Sequence, residues 1–378
     1  FSGQARRLNG ETVPSEIPNT FACTVREPLG VVGLITPWNF PMAIPAWKIA
    51  PALVTGNTIV LKGAEQTPWV TELVVQAFID AGVPAGVLNM VQGGPTAGKA
   101  IVEHPDIEAI SFTGSTEVGH AINARGAALG KRVQCELGGK NPIIVLDDGD
   151  LDMAVAATAK GGFGSTGQRC TATSRAIVQK GVFDEFLARI TAEAKAVVPG
   201  PGLDPKTTMG PSVDQDQFGK VLDYLGIGAN EGAQIHAGGA RATDGDLIHG
   251  LFTQPTVWAV TKNMRVAREE IFGPVLSVIC VDDFEEAIDV ANAVEFGLTS
   301  SLYTKDVNRV FQYIDRIHTG MLHVNSPTIG GEAQLPFGGM KKTGVGPREM
   351  GTQAVDFYTE WKTVYVDWSG GFRGGNLY

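Results

Sequence analysis

The sequence predicts an α/β protein with a parallel sheet in each of two domains, and three observations predict it. Apolar runs of strand length alternate with segments of helical length from residue 30 to residue 145, and again beyond residue 150. The 48 glycines fall mostly between those runs, the pattern of tight strand-to-helix turns. The chain has 378 residues, more than one core usually holds, so two domains with a small appendage are expected.

In order along the chain, residues 1–10 are polar and peripheral. Residues 12–28 carry Pro14, Pro18 and Asn19 between β-prone stretches, an irregular hairpin outside the main core. Val31-Val32-Gly33-Leu34-Ile35-Thr36 is a buried strand ended by Pro37, and the runs 57–62, 86–91 and 107–112 repeat its form. Helix-like segments at 43–54, 67–81 and 96–103 lie between them. Strands buried on both faces and alternating with helices indicate parallel β–α–β units with right-handed crossovers, a Rossmann-like arrangement. Runs 132–135 and 141–145 close this series around Gly138-Gly139. A second series follows, with helices at 151–163, 183–197 and 283–293 and strands at 176–178, 275–281 and 320–324. The tail 361–368 sets Val364 and Val366 against Tyr365 and Asp367, like an exposed strand seeking a partner edge.

Composition removes several function classes. A net charge of -10 without a long basic run argues against nucleic acid. Cys23, Cys135, Cys170 and Cys280 are far apart and do not cluster with the histidines, so neither a disulfide framework nor a metal site is expected. A reducing, cytoplasmic setting fits that usage. No stretch approaches the ~18 apolar residues of a membrane helix. No signal peptide opens the chain, which begins at Phe1 without a methionine.

Three segments stand where chemistry is expected. Pro37-Trp38-Asn39-Phe40-Pro41 follows the end of a buried strand, the place where α/β sheets put ligands. Glu136-Leu137-Gly138-Gly139-Lys140-Asn141-Pro142 follows another strand, and Gly167-Gln168-Arg169-Cys170-Thr171 follows the first helix of the second series. With Lys62-Gly63-Ala64-Glu65-Gln66-Thr67-Pro68, Phe112-Thr113-Gly114-Ser115-Thr116, Glu269-Glu270-Ile271-Phe272-Gly273-Pro274 and Pro336-Phe337-Gly338-Gly339, they resemble the signature segments of the aldehyde dehydrogenase superfamily, in the same order. The resemblance runs from about Glu11 to the C-terminus. In this family roughly a hundred or more residues usually precede the first of these segments, so the usual N-terminal segment is expected to be lacking here.

The resemblance implies NAD(P)-dependent oxidation of an aldehyde to its acid through a thioester on Cys170. Cys170 sits among Gly, Gln, Arg and Thr instead of in an apolar strand, and the charge of Arg169 beside it is expected to favour the thiolate. Asn39 and the Cys170 backbone N–H would receive the oxyanion, and an aspartate at position 39 would repel it. Glu136 would deprotonate the water that hydrolyses the thioester, with its pKa raised in a partly apolar cleft. Relatives that pass the acyl group to coenzyme A usually lack a glutamate there, so a free acid is expected.

Lys62 and Glu65 resemble the pair that holds the adenine ribose. The Glu65 carboxylate would repel a 2′-phosphate, which favours NAD and leaves NADP open. Gly114, Ser115 and the helix start that follows would take the pyrophosphate. Glu270 and Phe272 resemble the residues that grip the nicotinamide ribose and ring, and Thr36, Trp38, Leu137 and Gly138 would line the same cleft. Trp38 also reads as a core tryptophan, and Lys62 and Glu65 as solvated loop charges. Lys140 has no chemical step assigned. Arg169 also occurs in relatives that act on carboxylated semialdehydes such as 2-oxoglutarate semialdehyde, although it reads equally as a packing residue. The loop Gly331-Glu332-Ala333-Gln334 is expected near the substrate mouth.

The implied organisation is an N-terminal segment with an oligomerisation hairpin (1–28), a cofactor domain (29–138), a catalytic domain (139–345) and a return segment with an oligomerisation strand (346–378). The hairpin and the terminal strand are expected to pair between subunits, giving a homodimer or homotetramer. The competing readings are a family-derived binding or structural protein without turnover, and a coenzyme A-acylating enzyme.

Overall fold

A computed structural model describes residues 1–371, so the end of the return segment, 372–378, lies outside the described residues. The first sheet runs Gly344–Val345, Arg132–Glu136, Ile107–Thr113, Val31–Ile35, Thr58–Lys62, Leu88–Val91. All its pairings are parallel except that of Gly344–Val345 with Arg132–Glu136. Val32, Leu34, Ile59, Leu61 and Ile110 are fully buried, as a sheet covered on both faces requires. Gly33 has a local reason: a Cβ there would stand 2.5 Å from the Ile101 side chain of helix Pro95–Glu103. The order reverses at Val31–Ile35, which has Thr58–Lys62 on one side and Ile107–Thr113 on the other. A crevice opens at the carboxyl ends of such strands, and both the Pro37 segment and the Gly114 segment start there.

The second sheet runs Gln234–Ala237, Thr256–Ala259, Val275–Val281, Thr173–Gln179, Asn141–Val145, Thr299–Tyr303, Met321–Val324, with only the first strand antiparallel. Its two faces follow the period of two along each strand. Ile144 and Ile177 pack with Val221, Leu225 and Phe284. Ile143, Val145 and Val178 pack with Val155, Phe186 and Ile190 from helices Leu151–Phe163 and Lys180–Ala196.

The third sheet corrects one expectation. The hairpin Thr12–Pro14 with Thr20–Pro28 forms, but the tail strand Thr359–Asp367 pairs with Thr20–Pro28 of its own chain, in unbroken register from Thr359 opposite Pro28 to Asp367 opposite Thr20. Arg26 fixes the register, because its guanidinium pairs with Asp356 at 2.6 Å and stacks 3.9 Å over Trp361. What this sheet offers a partner is therefore an outer edge.

Among the described residues, no helix is long and apolar enough to cross a membrane, and no group of His, Cys, Asp and Glu side chains could hold a metal.

Candidate active site

Cys170 is presented by a strained turn. Helix Leu151–Phe163 starts at Asp150, whose side chain accepts the Met153 N–H at 3.0 Å, and stops at Gly164. Ser165 (φ 52°), Thr166 (φ 59°) and Gly167 (φ 65°) then turn the chain through the left-handed region. Position 167 must be glycine, since a Cβ would lie 2.1 Å from the Gly273 carbonyl oxygen. Beyond the turn, Asn141 donates from its amide to the carbonyls of Cys170 (2.7 Å) and Ala172 (2.9 Å). Cys170 itself is half-buried against the cluster of Leu298, Phe337 and Met350.

A chamber of about 180 Å³ is lined by Cys170, Asn39, Trp38, Phe272, Glu270 and Gly114. Leu137 and Gly138 line it as well. The Asn39 amide nitrogen donates to the Gln168 carbonyl at 3.2 Å, and its oxygen accepts the Phe40 N–H at 3.1 Å. A carboxamide carries two N–H donors, so one is left for a ligand. The Cys170 N–H has no hydrogen bond among the described residues. The two donors named from the sequence thus stand at one chamber with the sulfur.

Glu136 lies behind that chamber instead of on its wall. It ends strand Arg132–Glu136 fully buried, with Oε1 3.5 Å from the Gln134 amide nitrogen and Oε2 without a partner. The chain of polar contacts continues inward: the Ser111 hydroxyl donates to Gln134 Oε1 at 2.5 Å, and the Lys48 ammonium donates to Ser111 at 2.7 Å and pairs with Glu349. Burial, and then the neighbouring Glu349 carboxylate, holds the Glu136 carboxyl well above the ordinary carboxylate range, while Lys48 opposes the rise.

The thiol corrects a second expectation. Burial, Glu136 and Glu270 push Cys170 up to about 12, and Arg169 does not act against them. The Arg169 guanidinium is turned to the Ser165 hydroxyl, at 2.8 and 3.0 Å, and lies 5.9 Å over the Phe40 ring. The resting thiol is therefore neutral, and a base must take its proton. The loop around Glu332 is exposed, with Gly331 standing against the Phe337 ring.

A larger cleft of about 660 Å³ joins the chamber at Trp38, Gly114 and Ser115 and extends to Lys62 and Glu65. Ser115 caps helix Thr116–Ala128, accepting the Val118 N–H at 3.4 Å, so the helix start faces the cleft. The hydroxyls of Thr36 and Thr113 are buried there without partners. At the chamber end, Glu270 accepts the Gly139 N–H at 2.8 Å, and Phe272 meets Trp38 edge-on at 5.5 Å. Unpaired hydroxyls, a glycine-backed helix start and carboxylates at both ends fit a dinucleotide. Gln217 and Lys220, which also line the chamber, went unread in the sequence, as did Lys48, Asn141 and Glu349. Lys48 left a trace, being a charge amid the apolar face of helix Ala43–Val54.

The family model described as "Aldehyde dehydrogenase family" matches residues 1–364. The alpha-ketoglutaric semialdehyde dehydrogenase of Bacillus subtilis is 44% identical over 368 residues, covering 97% of this chain and 75% of its own. Retinaldehyde dehydrogenase 3 of Homo sapiens is 46% identical over 370 residues, covering 97% and 71%. The crystal structure of betaine aldehyde dehydrogenase from Staphylococcus aureus in complex with NAD+ superposes with a TM-score of 0.95 at 36% identity, covering 98% of this chain and 74% of the other.

Proposed function

Because the chain belongs to the aldehyde dehydrogenase family, we propose that it oxidises a carboxylated semialdehyde, such as 2-oxoglutarate semialdehyde, to the free acid, with NAD as acceptor and Cys170 as nucleophile. One observation carries the reading: Asn39 and Cys170 share a chamber that opens into a dinucleotide-sized cleft, with Glu136 buried behind.

The residues divide the work. The sulfur of Cys170 forms a bond to the aldehyde carbon as its proton passes to the buried carboxylate side, and the former carbonyl oxygen becomes an oxyanion. The free Asn39 N–H and the Cys170 N–H receive that charge. What a bound nicotinamide supplies is a two-electron acceptor for the aldehyde hydrogen. Glu270 and Phe272 position its ribose and ring, Thr36, Leu137 and Gly138 shape the wall, and Gly114 and Ser115 hold the pyrophosphate. Lys62 and Glu65 hold the adenine ribose. Glu136 then draws a proton from water, the hydroxyl adds to the thioester carbon, and the carbon–sulfur bond breaks to release the acid. Between the two steps Glu136 returns the thiol's proton to water, because the chain behind it only donates toward it, Lys48 to Ser111, Ser111 to Gln134 and Gln134 to Glu136.

Relatives named for different aldehydes are 44% and 46% identical to this chain, so the support for a carboxylated substrate is Arg169 beside the nucleophile together with the name of the Bacillus relative. We divide the chain into a cofactor domain at 29–138, a catalytic domain at 139–345 whose last strand, Gly344–Val345, crosses back to the edge of the cofactor sheet, and flanking segments at 1–28 and 346–378. The outer edge of Thr359–Asp367, with Trp361 and Tyr365 exposed, supports a homodimer or homotetramer. A catalytic thiol supports a reducing, cytoplasmic setting.

The test is a panel of aldehydes scored by NADH absorbance with NAD and NADP separately, with coenzyme A present or omitted. The reading expects the highest kcat/KM for the carboxylated semialdehyde with NAD, and free acid in both cases. Acyl-coenzyme A as product, or no turnover of any aldehyde, overturns it.

A further inference from the structure

Phe272 is held in a conformation that its side chain disfavours. Its φ is 60°, in the left-handed region where an aromatic residue is an outlier and persists only if its surroundings over-determine it. Those surroundings are the first turns of helix Gln215–Asn230, which lie against the segment Ile271-Phe272-Gly273. Gln217 donates from its amide nitrogen to the carbonyls of Ile271 at 3.2 Å and Phe272 at 2.9 Å. Carbonyls only accept, so the amide nitrogen, and not its oxygen, must face them. One turn on, Val221 closes on Gly273, where a Cβ would stand 2.5 Å from the valine methyl. Asp214 caps the helix and accepts the Gln217 N–H at 2.9 Å, which fixes where the amide starts. The ring that this backbone carries meets Trp38 edge-on at 5.5 Å, and both rings line the chamber with Cys170. Trp38 follows a strand of the first sheet and Phe272 precedes a strand of the second, so the contact spans the crevice.

We propose that Gln217 is a positioning residue for hydride transfer: its amide clamps the carbonyls of Ile271 and Phe272, keeps Phe272 left-handed, and so holds the ring against Trp38 on the wall of the Cys170 chamber. The inference rests on the reading of Phe272 as the residue that positions the nicotinamide ring. The two carbonyls belong to the peptide planes on either side of the Phe272 Cα, so one donor fixes both dihedrals of that residue. An extended Phe272 would turn the two carbonyls apart, out of reach of a single donor. Loss of the donor therefore lets residue 272 relax toward negative φ and carries the ring away from Trp38. The sulfur and the Asn39 amide are held by other contacts, Asn141 for the Cys170 turn and the Gln168 carbonyl for Asn39, so aldehyde binding is untouched. The loss falls on hydride transfer, where a small misplacement is costly.

The experiment labels the whole protein with fluorotryptophan and records fluorine NMR spectra without cofactor, the Trp38 signal being assigned by its loss in Trp38→Phe. Phe272→Leu, which removes the ring, is expected to shift that signal. Gln217→Met, which keeps the length but has no donor, is expected to shift it the same way and to leave the other tryptophan signals in place. Rapid mixing with NAD and aldehyde then gives the rate of the NADH burst. Q217M should lower that rate roughly 10–100-fold with the KM for aldehyde unchanged, and should lower it no further in an F272L background. A Trp38 signal that Q217M leaves in place, or losses that add in the double variant, overturns the clamp. A burst at the wild-type rate in F272L overturns the reading of Phe272 itself. Should Q217M not fold, Gln217→Glu takes its place, since an ionised carboxylate offers the two carbonyls no donor.

Discussion

Asn141 donates to the Cys170 carbonyl at 2.7 Å, and its own side-chain oxygen accepts the Thr299 N–H at 3.2 Å. The loop that carries the thiol is in this way hung from two adjacent central strands of the second sheet, Asn141–Val145 and Thr299–Tyr303. The position of the sulfur is a property of the sheet as much as of its own turn.

Asn141→Leu should therefore affect both stability and reactivity. It leaves the buried carbonyls of Cys170 and Ala172 unpaired, at a cost of about 1–3 kcal/mol each. Urea unfolding would show a lower midpoint, and alkylation of Cys170 by iodoacetamide would change rate. If both stay at wild-type values, the anchoring role is wrong.

Asn39→Ala tests the oxyanion donor. With one of two donors gone, kcat should fall about 10²–10³-fold while KM stays nearly constant, and Asn39→Asp should do worse because its charge opposes the oxyanion. A loss confined to KM would reassign Asn39 to simple substrate binding.

Glu136→Gln should suppress the NADH burst as well as steady-state turnover, since the same carboxylate takes the thiol's proton and then that of water. The sign of the pH effect follows from burial. A carboxyl held above its ordinary range is protonated at low pH, so thioester hydrolysis should slow as pH falls through the raised value. Lys48 opposes that rise, so Lys48→Met should move the acid limb to higher pH. Rapid-mixing kinetics across pH would check both, and an unmoved limb would show that the Lys48 charge does not act on Glu136.

Arg169→Ala should raise KM for the carboxylated semialdehyde by roughly tenfold more than for a neutral aldehyde of equal length, the size of one lost charge-assisted hydrogen bond. Equal changes for the two substrates would leave Arg169 as a packing residue held by Ser165 and Phe40.

Much of the fold is legible where one element obeys one period. Leu151–Phe163 was readable to the residue because Asp150 caps a regular apolar stripe that ends at glycine. Thr299–Tyr303 was not, because Thr299, Ser300 and Ser301 look like a loop, yet all are fully buried with their hydroxyls bonded inside, Ser300 to Tyr313 and Thr319 at 2.6 Å. Helix Gln215–Asn230 hides behind its glycines, and Gly228 is there because the Trp258 indole lies where a Cβ would go. Within the site, Cys170, Asn39 and Glu136 stand in local signatures. Lys48 and Glu349 are separated by 301 positions, and only folding makes them a pair. The neutral state of the thiol was also illegible, because Arg169 is adjacent in sequence but its guanidinium is turned elsewhere.

Gly344–Val345 runs antiparallel to Arg132–Glu136, opposite Glu136 and Cys135, although it belongs to a stretch that has already woven through the second sheet. The seam between the two halves is thereby laced at the base carboxylate itself. A hinge-like gape of the crevice would have to unzip that ladder and displace Glu136, so ligands must come and go by way of side chains and surface loops. Amide exchange at Val345 should stay as slow as in the deepest strands throughout turnover.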